Sequence, residues 1–171
     1  MKKILILLFT VSYIYGNSQP TVFPGSRVTQ YFFGRIAQTV TSAPVTISVV
    51  NQVSGNITNA SGVFTLTGGK NYLLDASFYA SSSVGVGYAV IEWVDTNTGT
   101  VLDDGAKALI VVSNTPTWTH APRACIIYKP TVTQTVNLKL TTLTVASLTL
   151  SSSGGSNGAS TVSINEIPIS Y

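Results

Sequence analysis

The sequence predicts an all-β domain of the sandwich or jelly-roll kind, and three observations carry that expectation. Apolar and polar residues alternate with a period of two along most of the chain, the pattern of strands that rest one face on a core. Thr and Val are abundant, and branched side chains fit a pleated sheet. Clusters of Gly, Pro, Asn and Asp recur at short intervals, while no stretch combines a helical period with caps. The 171 residues suffice for one domain with a proper core.

The elements follow in order. Met1-Lys2-Lys3 precedes an almost unbroken apolar run from Ile4 to Tyr15. A basic start, a short apolar stretch and then small residues is the layout of a secretory signal, with Gly16 and Ser18 as cleavage positions. The run is shorter than the roughly 20 residues of an ordinary spanning helix. Three readings of 1–16 stay open: a signal, a membrane anchor touching lipid through residues 4–15, or an arm packed in an assembly. Thr10, Val11, Tyr13, Ile14 and Tyr15 permit the last, since such residues suit a strand. Residues 17–34, with Pro20, Pro24 and Gly25, read as a linker and first strand, and 35–171 as the jelly-roll domain.

Within that domain Val45-Thr-Ile-Ser-Val alternates as one half-buried strand, and Gly62-Val-Phe-Thr-Leu is another. Gly68-Gly69-Lys70-Asn71 is a turn, after which Tyr72 to Tyr79 resumes as strand. Gly85 to Val94 is a strand, Asp95 to Gly99 a turn, and Thr100-Val-Leu the returning arm of a hairpin. Asp103-Asp104-Gly105 turns the chain again. Ala108 to Val112 is a fully apolar strand, Asn114 to Pro122 a loop, and Ala124 to Tyr128 a strand stopped by Pro130. Thr131 to Leu150 holds two strands whose apolar face switches near Thr141-Thr142. Ser151 to Ser160 is a loop, and Thr161 to Ile167 closes the domain. The expectation is about eight to ten strands in all.

Composition narrows the function. Hydrophobic content is 44% and charged content only 9%, against about a quarter charged in average proteins. Ser and Thr supply the missing polarity, and uncharged polar groups are buried between subunits at less cost than charges. The composition therefore points toward assembly. The net charge is +3, and Lys2 and Lys3 account for two of those charges. The remaining bases are scattered singly, without the basic stripe that tracks a phosphate backbone, so no nucleic-acid partner is expected.

Little in the chain suits catalysis or metal binding. Cys125 is the single cysteine, cannot form an internal disulfide, and reads as a small buried hydrophobe in Ala-Cys-Ile-Ile-Tyr. His120 is the single histidine, in a loop, and no serine sits in a Gly-x-Ser-x-Gly element. One His and one Cys do not make the usual zinc ligand sets. Among the acids Asp75, Glu92, Asp95, Asp103, Asp104 and Glu166, the pair Asp103-Asp104 beside Gly105 reads as turn chemistry. A calcium site there lacks flanking oxygens. Glu92 and Glu166 lie inside strands, as outward or paired groups. No catalytic, cofactor-binding or metal residue is assigned, and no cofactor is expected. Asn56-Ile-Thr58 and Asn59-Ala-Ser61 match the glycosylation acceptor pattern, which matters in a protein exported from a eukaryotic cell.

Ala60-Ser-Gly-Val-Phe-Thr-Leu-Thr-Gly-Gly-Lys-Asn-Tyr-Leu-Leu-Asp-Ala resembles the G-x-F-x-L-x-x-G-x-x-Y-x-L stretch of the complement-globular-head and tumour necrosis factor jelly-roll superfamily. Tyr88-Ala-Val-Ile-Glu-Trp-Val-Asp-Thr-Asn-Thr-Gly-Thr is similar to the Y-x-W-Y-D-x-T-N hairpin of its viral and phage members. The ending, Ala159 to Ile167, is similar to the closing strand that lies at the trimer core in that group. The likeness runs from about residue 35 to 167, and Ile4 to Tyr15 departs from it.

That resemblance implies an antiparallel, TNF-like jelly roll, a homotrimer, and a binding or structural role without an active site. Its viral members are fibre heads, spikes and capsid decorations. The function expected is thus a non-enzymatic virion protein on the capsid surface. Its partners would be itself, other capsid proteins and a host surface glycan or receptor. The alternative is a secreted or surface-attached lectin- or adhesin-like module, and an enzyme is the least supported class.

Overall fold

In the computed structural model, which describes residues 30–82, 85–112, 119–120, 123–152 and 158–168, alternating side chains build strands stacked in two layers. The first half contains β1 (Tyr31–Ile36), β2 (Gln38–Val40), β3 (Val45–Thr46), β4 (Val49–Gly55), β5 (Asn59–Ala60), β6 (Val63–Leu66), β7 (Asn71–Ser77) and β8 (Tyr79–Ser82). The second half contains β9 (Gly87–Asp95), β10 (Lys107–Val112), β11 (Thr119–His120), β12 (Ala124–Tyr128), β13 (Gln134–Leu143), β14 (Leu148–Leu150) and β15 (Thr161–Ile167). One 3-10 turn, Asp104–Ala106, precedes β10, and the described residues include no α-helix. The apolar segment Ile4–Tyr15 and the linker after it lie outside the described residues.

One layer has the strand order β12-β7-β15-β1-β4. The facing layer runs β10-β9-β13-β6-β5, with β3 also paired to β13, and β11-β8-β14-β2 forms a four-stranded sheet. All named pairs are antiparallel. This is the expected antiparallel jelly-roll sandwich. The strand count exceeds the expected eight to ten because strands break where they pass from sheet to sheet. Val45 to Val49 shows why. β3 pairs with β13 in one layer and β4 with β1 in the other, so the single strand read from sequence is a crossover. Ile47 sits at the crossing, fully buried, and its N–H donates to the Leu138 carbonyl at 2.8 Å.

Even-numbered side chains of β1, β7 and β15 point inward: Phe32, Leu74, Ala76, Val162 and Ile164 are fully buried. They meet Phe64, Ile91, Trp93, Leu138 and Leu140 from the facing layer in one core cluster. Phe32 and Phe64 contact edge to face at 4.9 Å between ring centroids, and Phe64 continues to Trp93 at 6.0 Å. This aromatic chain spans both layers, and burying such rings is a leading stabilising contribution. The indole N–H of Trp93 donates to the Ala124 carbonyl on β12 at 3.1 Å, which ties the layers together.

Several sequence expectations are met in detail. The pairing of β13 with β9 slips between Leu140 and Thr142, where the face was expected to switch. Such a bulge turns the following side chains to the other side of the sheet. Thr100-Val-Leu returns beside the end of β9 as a short arm: Val101 bridges Val94, the Asp95 N–H donates to the Thr100 carbonyl at 2.9 Å and the Leu102 N–H to the Trp93 carbonyl at 3.0 Å, while β10 and β13 flank β9 in the sheet. Other expectations are corrected. Thr119–His120, expected in a loop, pairs with Ala80 and Tyr79. The fully apolar β10 is not fully buried: it alternates, with Ala108, Ile110 and Val112 inside but Leu109 and Val111 exposed.

Candidate functional site

The odd-numbered residues of β1, β15, β7 and β12 follow from the same pleat: they form the outward face of the first layer. Strand register arranges them in rows. Tyr31 stands opposite Asn165, Asn165 opposite Leu73, and Leu73 opposite Ile127. The next row is Phe33, Ser163, Asp75 and Cys125. The third is Arg35, Thr161 and Ser77, where the Ser77 and Thr161 hydroxyls hydrogen-bond at 2.9 Å. The face thus carries Tyr31, Leu73 and Ile127, interrupted by the amide of Asn165, along one row and is hydroxyl-lined along another. Ile127 is 68% exposed at its margin, and nothing in the described chain covers it.

One charge pair stands on this face. Arg123 grips Asp75 with two prongs, Nε donating to Oδ1 at 2.9 Å and a terminal nitrogen donating to Oδ2. The hydrogen bond and the charge of Asp75 push the Arg123 guanidinium further up. The pair neutralises itself, and the exposed Arg35 of the third row adds one positive charge to the face.

Cys125 corrects the sequence reading. It is exposed, not buried, because β12 points Ala124 into the core and sends Cys125 and Ile127 outward. An apolar run conceals that alternation when the outward face is itself apolar. Partial burial against the sheet, then the Asp75 carboxylate, pushes the thiol up, with Arg123 opposing. Cys125 therefore stays a neutral thiol near pH 7 and is a poor nucleophile.

The other residues singled out from sequence do not come together. Asp103 caps the 3-10 turn by accepting the Asp104 N–H, and Asp104 accepts from Lys107 at 2.9 Å. Glu92 is buried and paired, 3.7 Å from Lys107, and Glu166 pairs with Lys70 at 3.0 Å. The side chain of His120 lies outside the described residues. No group of three His, Cys, Asp or Glu residues converges among the described residues. A shallow hollow of about 330 Å³ is lined by Gln38, Thr39, Thr149, Ser151 and Ser152, none of them titratable.

Sequence reasoning missed two features. The first is a polar clamp: buried Asp95 accepts from the Asn97 N–H, the Thr98 hydroxyl and Gln134, and Gln134 accepts from the Tyr128 hydroxyl. Burial pushes the Asp95 carboxyl up, but these hydrogen bonds together outweigh it and hold the group below the usual carboxylate range. The Asp-Thr-Asn-Thr-Gly turn signal was visible, but its reach to Gln134 and Tyr128 needed the register of β13. The second is a bare apolar patch on the facing layer. Val86, Tyr88, Leu109 and Val111 are 69%, 44%, 49% and 63% exposed, and Val111 stands directly opposite Tyr88.

Comparison with known proteins places this geometry in a fold. No family model matches the sequence, and no curated protein matches it. Solved structures do. The globular domain of zebrafish complement 1qA superposes with a TM-score of 0.51 at 10% identity, covering 82% of this chain and 98% of that one. Murine APRIL gives a TM-score of 0.51 at 8% identity, over 81% of this chain and 98% of that one. At such low identity the likeness is one of fold, and the fold is the jelly roll of the complement globular head and the tumour necrosis factor-like ligands.

Proposed function

We propose that this chain is a non-enzymatic module that works as a homotrimer, packing identical copies against the outward face of the β12-β7-β15-β1-β4 sheet. The observation that carries the reading is the row Tyr31, Asn165, Leu73 and Ile127, which ends in an isoleucine 68% exposed on an edge strand. A row that is apolar but for Asn165, beside hydroxyls and a self-neutralised ion pair, suits the core of a subunit interface, with the exposed Arg35 in the outer row as a rim charge. The self-association expected from the resemblance and the fold-level likeness to complement 1qA and APRIL support the same arrangement, as analogy.

Within that reading the protein is a virion surface component: a capsid spike, fibre head or decoration. The support is the low charge, the Thr, Ser and Val richness, and the resemblance of Tyr88 to Thr100 to hairpins of viral members. The partners would then be other capsid proteins and a host glycan or receptor, with the Val86–Tyr88–Leu109–Val111 patch free for the contact. A second reading, a secreted or surface-attached binding module, is favoured by the basic start and apolar run of residues 1–16.

Sedimentation equilibrium tests the core of the proposal. A mass three times that of the chain supports it, and a stable monomer at micromolar concentration overturns it. Detection of the chain in purified particles separates the virion reading from the secreted one, which predicts a mature N-terminus near Asn17 to Gln19.

A further inference from the structure

Two glycosylation acceptor patterns stand three residues apart in the connection from β4 to β6, and the fold treats them differently. In Asn56-Ile-Thr58 the middle residue is the anchor. Ile57 is 3% exposed in the core, so Asn56 and Thr58 are both thrown outward and are exposed. The loop is held from behind: the N–H groups of Asn56 and Ile57 donate to the Tyr31 carbonyl at 2.8 and 3.2 Å. In Asn59-Ala-Ser61 the alternation is reversed. Ala60 is the exposed residue, and Asn59 is half-buried on β5. Its Oδ1 accepts the Gly62 N–H at 3.0 Å across a turn in which Ser61 has a φ of +52°.

We infer that Asn56, and not Asn59, is an N-glycan acceptor when the chain passes through a eukaryotic secretory pathway. The donor would be a lipid-linked oligosaccharide diphosphate. Asn56 Nδ2 bonds to C1 of the first sugar, one amide proton is lost, and the lipid diphosphate leaves. The amide oxygen is untouched by this chemistry. Asn56 Oδ1 accepts the Tyr31 N–H at 2.8 Å, and that bond survives glycan attachment. A glycan on either asparagine therefore costs the fold no hydrogen bond through its oxygen, and exposure separates the two: Asn56 stands in solvent while Asn59 is half-buried on β5.

The position has a structural use. β4 and β5 are the terminal strands of their two sheets, on the flank opposite β12 and β10. Open strand edges invite unwanted pairing with other chains. A glycan rooted between β4 and β5 screens both edges and leaves Ile127 on β12 clear.

The test is expression of the full chain behind a secretory leader in eukaryotic cells, with intact mass measured before and after peptide N-glycosidase. One glycan per chain is expected. It should be lost completely in Asn56→Gln and retained in Asn59→Gln. Because Asn56→Gln also disturbs the Tyr31 contact, Thr58→Ala provides an acceptor knockout that keeps Asn56; it too should remove the glycan. A wild-type chain that emerges unmodified, or a glycan that survives Thr58→Ala, overturns the inference.

Discussion

The indole N–H of Trp93 on β9 reaches across the sandwich to the Ala124 carbonyl on β12, 3.1 Å away and buried. β9 and β12 belong to different layers, so this bond fixes their separation at a point where no strand ladder does. Phe would refill most of the space but leave the Ala124 carbonyl without its donor. Trp93→Phe is expected to lower stability by about 2–3 kcal/mol, part lost packing and part an unpaired buried carbonyl. Urea unfolding checks this, with the far-ultraviolet dichroism unchanged.

Ile127 should behave in the opposite manner. Its side chain lies on the solvent side of β12, and surface changes away from special features stay within about ±0.5 kcal/mol. Ile127→Lys is expected to leave the isolated subunit's unfolding midpoint almost unmoved while abolishing assembly. Equal assembly of the variant and the wild type, measured by sedimentation, would falsify the interface assigned to this face.

Asp95 gives a pH dependence with a definite sign. Its folded carboxyl is held below the unfolded value by Asn97, Thr98 and Gln134. The stability it contributes is present above the unfolded pKa and is lost as pH falls through the folded one. Asp95→Asn should therefore be less stable than wild type at neutral pH, and the deficit should shrink as the pH is taken well below 4. Paired denaturant titrations at pH 7 and in strong acid read the difference. A deficit independent of pH would assign the effect to packing instead.

Gly62 tests the layer crossing. It has a φ of +83°, and a Cβ there would lie 2.3 Å from the Ile47 carbonyl oxygen. Gly62→Ala meets strain from the backbone and a clash with a main-chain atom that cannot swing away. A loss of about 1–3 kcal/mol is expected from the conformation alone, seen as a lower thermal midpoint. Gly69→Ala should cost less, because a methyl group there would meet nothing within 4 Å, despite a φ of +78°.

The parts of the fold that were legible in the sequence are those governed by local alternation. Thr161 to Ile167, Ala124 to Tyr128 and the slip near Thr141 were all readable, because each rests on a period of two and a turn or bulge. What escaped depended on contacts far along the chain. Val45 to Val49 alternates without interruption, and only its partners, β13 and then β1, reveal a crossover. Cys125 was misplaced for a related reason. Alternation tells inside from outside only when the outside is polar, and on β12 the outward residues are Cys125 and Ile127. The face proposed for assembly was thus hidden by the property that makes it a candidate. The Arg123–Asp75 pair spans 48 positions of sequence and needs the β12–β7 register to appear.

β1 begins the described sandwich, and its neighbour in the sheet is β15, the last strand. During synthesis Phe32 and Leu74 wait for Ile164, which lies between their strands and follows both in the chain. Pairings this distant in sequence close slowly, and until they close the unfinished sheet offers two unsatisfied edges to other nascent chains. The face proposed for assembly is complete only once β15, its middle strand, is in place, so on that proposal translation order itself separates folding from assembly.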